Sequence, residues 1–187
     1  MGKIYILEGD FPKGKKGHEL TKKAAISFSL EEEMDLEDRI ISDDIVLGEK
    51  GKPEFVSTPI HFSLSHSGSL WMCMVSNNRC GLDLQIVKDC NYKGISERYY
   101  SEDEKRYVDL CGINGFFQIW VRKEAFGKYT GQGFFGEMPS MVSPSNDILE
   151  NVYFQGKKYY FNIVEISNDI KCVACTLEKE DIEIRLL

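Results

Sequence analysis

Residues 3–8 (Lys-Ile-Tyr-Ile-Leu-Glu) form a short apolar, β-rich run between charges, which predicts an opening strand. Ala24, Ala25 and Phe28 recur at helical spacing, so a helix is expected over about 18–28. Gly48, Gly51 and Pro53 mark a turn between short strands. Three β-rich segments then follow at hairpin spacing, 61–65, 70–75 and 80–87, with a turn at Asn77-Asn78. Beyond residue 87 the period becomes helical. Ser101-Glu102-Asp103-Glu104 reads as a capping box, in which hydroxyl and carboxylate satisfy orphan donors at a helix start. A second helix is expected over 115–129, ending near Gly131, with Phe117, Val121 and Ala125 on its packing face. Strand patterns close the chain at 147–154, 159–166, 170–177 and 182–186. The tag-like run 150–156 (Glu-Asn-Val-Tyr-Phe-Gln-Gly) lies between two of them and reads as a native hairpin. Strand, helix and antiparallel strands thus occur twice in order. This predicts an α+β protein of two small halves, residues 1–87 and 88–187.

Composition narrows the class. With 187 residues, 42% of them hydrophobic and 28% charged, the chain can bury a core without disulfides or metals, and disorder is excluded. No apolar run approaches the ~20 residues of a spanning helix, and Glu8 interrupts the N-terminus too early for a signal peptide. A soluble, cytoplasmic protein with no membrane partner is therefore expected. Its six cysteines are then read as reduced. Cys172 and Cys175 have metal-like or redox-like spacing but no second pair, and read as buried strand thiols.

Charge is unevenly placed. The net charge is −7, and residues 31–44 hold eight acids against Arg39 alone. Residues 13–23 hold five lysines and one acid, which is either a solvated face or an anchor for a multiply charged small ligand. An acidic chain without a long basic face interleaved with aromatics excludes nucleic acid as partner.

Three segments carry candidate chemistry. In the first, residues 62–68 (Phe-Ser-Leu-Ser-His-Ser-Gly), a strand runs into a hydroxyl-rich turn bearing His66, able to grip phosphate oxygens or merely to satisfy its own backbone. In the second, 81–85 (Gly-Leu-Asp-Leu-Gln), Asp83 and Gln85 share one strand face and Leu82 and Leu84 the other. An acid in an apolar strand either binds a cation, for which oxygen donors suit Mg²⁺, or lies on a solvated edge. In the third, Trp120, Glu124 and Lys128 sit four residues apart along a helix. That stripe is an ordinary ion-pair ladder or one wall of a site. Gly127 inside the helix points to close packing or ligand approach.

In this order and spacing, Ser65-His66-Ser67, Gly81-Leu82-Asp83 and Trp120…Lys123-Glu124-Ala125…Lys128 resemble the 4′-phosphopantetheinyl transferases of the larger, surfactin-synthetase-activating type. Gly51-Lys52-Pro53 and Gly131-Gln132-Gly133 extend the resemblance, which is clear over residues 48–133. It implies a fold of two pseudo-two-fold related α/β halves with antiparallel sheets and coenzyme A bound at their junction. The implied reaction moves the phosphopantetheine arm onto a serine of an acyl or peptidyl carrier protein and releases adenosine 3′,5′-bisphosphate. Mapped by motif, Asp83, Glu124 and Gln85 are the implied Mg²⁺ ligands, and Lys128 neutralises the pyrophosphate. Ser65 and His66 contact phosphate oxygens, and Lys52 lies near the adenine. Glu124, directly or through a water at the metal, is the implied general base. Lysines among Lys13, Lys15, Lys16, Lys22 and Lys23 are assigned to the 3′-phosphate, Lys15 and Lys16 being the pair named for it.

The chain departs from the family at Gln85, where many relatives carry an acid, and at Val121, where Ser or Thr is common. Its first half is also short, without the usual arginine-bearing segment. These departures favour the alternative of a catalytically lapsed relative that binds coenzyme A or a carrier protein. Retention of Asp83, Glu124 and Lys128 favours the enzyme. Because one chain supplies both halves, a monomer is expected.

Overall fold

Alternation along β1 (Lys3–Glu8) sends Ile4 and Tyr5 to opposite faces, and each enters a different core. The computed structural model describes residues 2–11, 15–48 and 51–187; the side chains of Lys15 and Lys16 lie outside the described set. After β1 come α1 (Lys15–Glu31), α2 (Glu37–Ser42), β2 (Ile45–Leu47), β3 (Pro53–Phe55), β4 (His61–Ser67), β5 (Leu70–Ser76) and β6 (Gly81–Ile86). The chain continues through α3 (Tyr92–Tyr99), α4 (Glu102–Thr130), β7 (Asn151–Phe154), β8 (Lys157–Ile163), β9 (Ile170–Thr176) and β10 (Glu183–Leu186).

Two four-stranded sheets carry the molecule, ordered β10-β1-β5-β4 and β6-β9-β8-β7, beside a small β2-β3 ribbon. The run β1-β5-β4 and the run β6-β9-β8 have the same order, with neighbours antiparallel in both. In each, a strand leads through a helix to a hairpin. The last strand, β10, returns to the first sheet and pairs in parallel with β1, so a division at residue 87 leaves it on the far side.

The period-2 pattern of the strands builds a helix–sheet–sheet–helix stack. Tyr5, Trp71, Cys73 and Val75 meet Ala24, Ala25 and Phe28 of α1. Ile4, Met72 and Met74 meet Leu82, Leu84 and Ala174 between the sheets. Phe117, Val121, Ala125 and Phe126 of α4 meet Tyr159, Phe161 and Val173 on the outer face of the second sheet. Each fully buried side chain of this size contributes about 1.5–3 kcal/mol, so three layers of them hold the stack.

The expected capping box is present, with Ser101 Oγ accepting from Glu104 N and Glu104 Oε2 accepting from Ser101 N. It opens the first of two helical stretches that together make up α4. The break expected before residue 115 lies at Gly112, whose φ of 62° and ψ of −147° are non-helical and kink the element there. α4 stops at Gly131, in the left-handed conformation that terminates helices without a Cβ penalty. The 150–156 run is a hairpin between β7 and β8, turning at Gln155 and Gly156, both with positive φ. Cys172 and Cys175 are buried in β9, and burial pushes both thiols above their ordinary range. They are core residues. Among the described residues no helix is long and apolar enough to cross a membrane.

Candidate active site

β6 places Leu82 and Leu84 in the core between the sheets and leaves Asp83 on the α4 side, buried at 2% exposure. Gly81 brings helix and strand together there. A Cβ at that position would sit 2.0 Å from the Ala125 carbonyl oxygen and 2.6 Å from Tyr129 N, so only glycine admits this approach. Gly127 packs the same way against Gly133, whose carbonyl would lie 2.7 Å from an added Cβ. The expectation of close packing at Gly127 is met by backbone.

With α4 this close, Lys128 reaches across to β6. Its ammonium donates to Leu82 O at 2.9 Å and to Asp83 Oδ1 at 2.8 Å. Glu124, one turn earlier, is half-buried and has no hydrogen bond or ion pair among the described residues. Burial raises its pKa, the Asp83 carboxylate raises it further, and Lys128 opposes both. Trp120, a further turn back, stacks on Phe134 with ring centroids 4.5 Å apart. Gln85 lies beside Asp83, its Nε2 3.5 Å from Oδ2.

The remaining sequence candidates are more dispersed. Ser65 is buried; its Oγ donates to Asp83 Oδ1 at 2.8 Å and accepts from Leu84 N at 3.1 Å. His66 is exposed at the end of β4, its ring 5.5 Å from that of Phe11. Lys52 Nζ donates to Cys80 O at 2.7 Å, and burial lowers its pKa. A cavity of about 240 Å³ brings Lys52, Pro53 and Phe62 to Gly127, Lys128 and Gly133. Grooves of about 590 and 630 Å³ elsewhere are lined by none of Asp83, Glu124 or Lys128. Lys22 of the lysine cluster donates to Ile41 O at 2.8 Å, away from this site, and nothing is described of the Lys15 and Lys16 side chains.

Two features escaped the sequence reading. Glu104 is wholly buried and does more than cap α4. Its carboxylate also accepts from Met141 N at 2.9 Å and pairs with buried Lys123 at 3.1 Å. Lys123 therefore braces the helix that carries Glu124. Ser63 and Ser67 also bond β6, accepting from Leu82 N at 2.8 Å and Ile86 N at 3.1 Å. Only the i, i+2 spacing of these serines hinted at a shared face.

The donor set suits a hard divalent cation. Of two neighbouring carboxylates, only Asp83 is bonded to the Lys128 ammonium, and Glu124 is left without a partner among the described residues. Among the described residues no three His, Cys, Asp or Glu side chains gather at one point. A cation here would therefore have Asp83, Glu124 and the Gln85 amide oxygen, with water or substrate phosphate completing its shell, which is a Mg²⁺ pattern.

Comparison with known proteins points the same way. The sequence model of the 4′-phosphopantetheinyl transferase superfamily matches residues 79–175. The chain is 31% identical over 135 residues to 4′-phosphopantetheinyl transferase gsp of Aneurinibacillus migulanus, covering 69% of this chain and 56% of that protein. It is 39% identical over 90 residues to 4′-phosphopantetheinyl transferase psf-1 of Bacillus pumilus, covering 44% and 37%. To 4′-phosphopantetheinyl transferase AcpT of Escherichia coli O157:H7 it is 32% identical over 95 residues, covering 47% and 49%. The chain thus spans about half the length of the curated relatives it matches.

Proposed function

The chain belongs to the 4′-phosphopantetheinyl transferase superfamily, and on that premise we propose that it transfers the phosphopantetheine arm of coenzyme A to a serine of an acyl or peptidyl carrier protein. The observation that carries this reading is the meeting of Asp83, Lys128 and the unpartnered Glu124 where α4 touches β6. The carrier serine oxygen bonds to the β-phosphorus of coenzyme A, and the bond to the bridging oxygen breaks, releasing adenosine 3′,5′-bisphosphate.

Asp83, Glu124 and Gln85 would hold Mg²⁺, which when bound supplies charge neutralisation to the pyrophosphate. Lys128 provides a second positive charge, held by Asp83 and Leu82 O at the edge of the 240 Å³ cavity. Glu124 takes the serine proton. Its half-buried position and its neighbour Asp83 make its carboxylate a better base than one in water. Lys52 lies at the cavity wall, where it would meet the adenosine end of the substrate. His66, exposed at the strand end, is available to phosphate oxygens. Lys15 and Lys16 are kept as partners of the 3′-phosphate.

The repeated strand order supports a pseudo-two-fold relation between two halves, with the site at their junction. One chain carrying both halves would act as a monomer, in the cytoplasm where coenzyme A and carriers meet. The test is intact mass measurement of apo fatty-acid and peptidyl carriers after incubation with the protein, coenzyme A and Mg²⁺. A metal-dependent gain of one phosphopantetheine arm is expected. Coenzyme A binding without any gain would replace the enzyme by a binding module.

A further inference from the structure

β4 and β6 are each the edge strand of their sheet, and no backbone ladder joins them. They are joined by side chains. Ser63, Ser65 and Ser67 alternate along one face of β4, all nearly or fully buried, and their hydroxyls accept from Leu82 N, Leu84 N and Ile86 N. The three bonds have the same separation of 19 residues, forming a regular seam.

The middle member differs from the other two. Ser65 also gives its proton to Asp83 Oδ1, whereas no acceptor among the described residues takes the proton of Ser63 or Ser67. Asp83 Oδ1 thus receives both Ser65 Oγ and Lys128 Nζ, each at 2.8 Å. Oδ2 keeps only the 3.5 Å approach of Gln85 Nε2. Oδ1 is saturated by two donors, and Oδ2, in a residue only 2% exposed, is left with that one long contact.

We propose that Ser65 is a positioning residue for Asp83, fixing the carboxylate so that Oδ2 faces the cation, and that it is not a phosphate ligand. The second half follows from valence. A serine hydroxyl has one proton, and a phosphate oxygen accepts only, so Ser65 has no proton for phosphate while it holds Asp83. The seam carries the consequence further: the strand contact that joins the two sheets also sets the orientation of a metal ligand. This rests on the functional reading above.

The test measures Mn²⁺ affinity by calorimetry in the presence of coenzyme A, together with the KM for coenzyme A. Ser65→Ala is compared with Ser63→Ala and Ser67→Ala, which each remove one seam bond and spare Asp83. Ser65→Ala should weaken Mn²⁺ binding about tenfold with little change in KM, and Ser65→Thr should restore it. The two controls should lower thermal stability and leave Mn²⁺ affinity unchanged. Should Ser65→Ala fail to fold, Ser65→Cys keeps the volume with a much weaker donor and should show the same loss. A raised KM with unaltered Mn²⁺ affinity would make Ser65 a phosphate ligand and overturn the proposal. Equal effects from all three serines would reduce it to a structural seam. If the wild-type protein bound neither Mn²⁺ nor coenzyme A, the functional reading itself would fall.

Discussion

Glu124 is where function and stability pull apart most directly. It is half-buried beside Asp83, and the Lys128 ammonium, the one near it among the described residues, is already bonded to Asp83. Without a cation, the folded protein bears the repulsion of two carboxylates and the lost hydration of one. Glu124→Gln removes that charge at nearly constant volume. In EDTA at neutral pH this variant should melt higher than wild type, by about 2 °C for a chain of this size, and should show no transfer when metal is restored. Differential scanning calorimetry and the carrier mass assay check both halves; a variant that melts lower would mean that Glu124 has a stabilising partner. Strand and helix periods put Asp83 on one strand face and Glu124 and Lys128 on one helix stripe, but only the family resemblance joined them into one candidate site. The bonds of Ser65 and Lys123 were not legible. Their partners come from a separate edge strand and from the N-terminal turn of α4, and nothing within a few residues of either position signals such a distant contact.

Among the elements, α4 was read as two helices, and two helical stretches do meet within it at a kink. Gly112 is the residue at that kink. Its backbone lies at φ 62°, ψ −147°, a region closed to L side chains, yet an added Cβ would meet nothing within 4 Å. The cost of Gly112→Ala is therefore backbone strain alone, about 1–3 kcal/mol, and should appear as a lower urea midpoint with the Glu124 end of the helix intact. A midpoint unchanged from wild type would mean that the chain passes Gly112 in another conformation.

The β2-β3 ribbon depends on Asp43 in a similar way. Burial alone would raise the pKa of this side chain, but hydrogen bonds from Thr58 and Ser57 prevail and hold it down to about 2. A carboxyl depressed on folding stabilises above its unfolded pKa near 3.9, and that contribution disappears as pH falls through about 2. Asp43 should thus supply about 2 kcal/mol at neutral pH. Urea titrations from pH 5 to 2 should show wild type losing this increment and Asp43→Asn losing much less. Parallel slopes for the two proteins would assign the acid sensitivity elsewhere. The ribbon was visible as a turn between short strands, but Asp43, inside an acidic run, gave no sign that it would be buried.

For the whole molecule, the α+β content with antiparallel strands was legible, but the stack of layers was not, because β5 and β9 are buried on both faces and only the folded chain sorts them into three clusters. Nor was the return of β10, since a four-residue strand with an exposed face can pair with either sheet edge. Charge acts at this scale too. The chain carries −7, and acidic carrier proteins, the proposed partners, would approach against that field. Residues 31–44 hold much of the acid, and the aromatic cluster beside Trp120 leaves Phe135 80% exposed and Tyr99 partly so. If docking used long-range attraction, salt would slow transfer steeply, because the screening length shrinks to about 8 Å at physiological ionic strength. Repulsion between two acidic partners reverses the sign. With coenzyme A and Mg²⁺ saturating, so that lysine–phosphate contacts are not limiting, kcat/KM for the carrier should stay level or rise between low and moderate salt. Phe135→Ser should lower it at every salt concentration, leaving KM for coenzyme A unchanged. A severalfold fall with salt in the wild-type protein would instead place docking on a local basic surface, with the lysines of α1 as the first to replace.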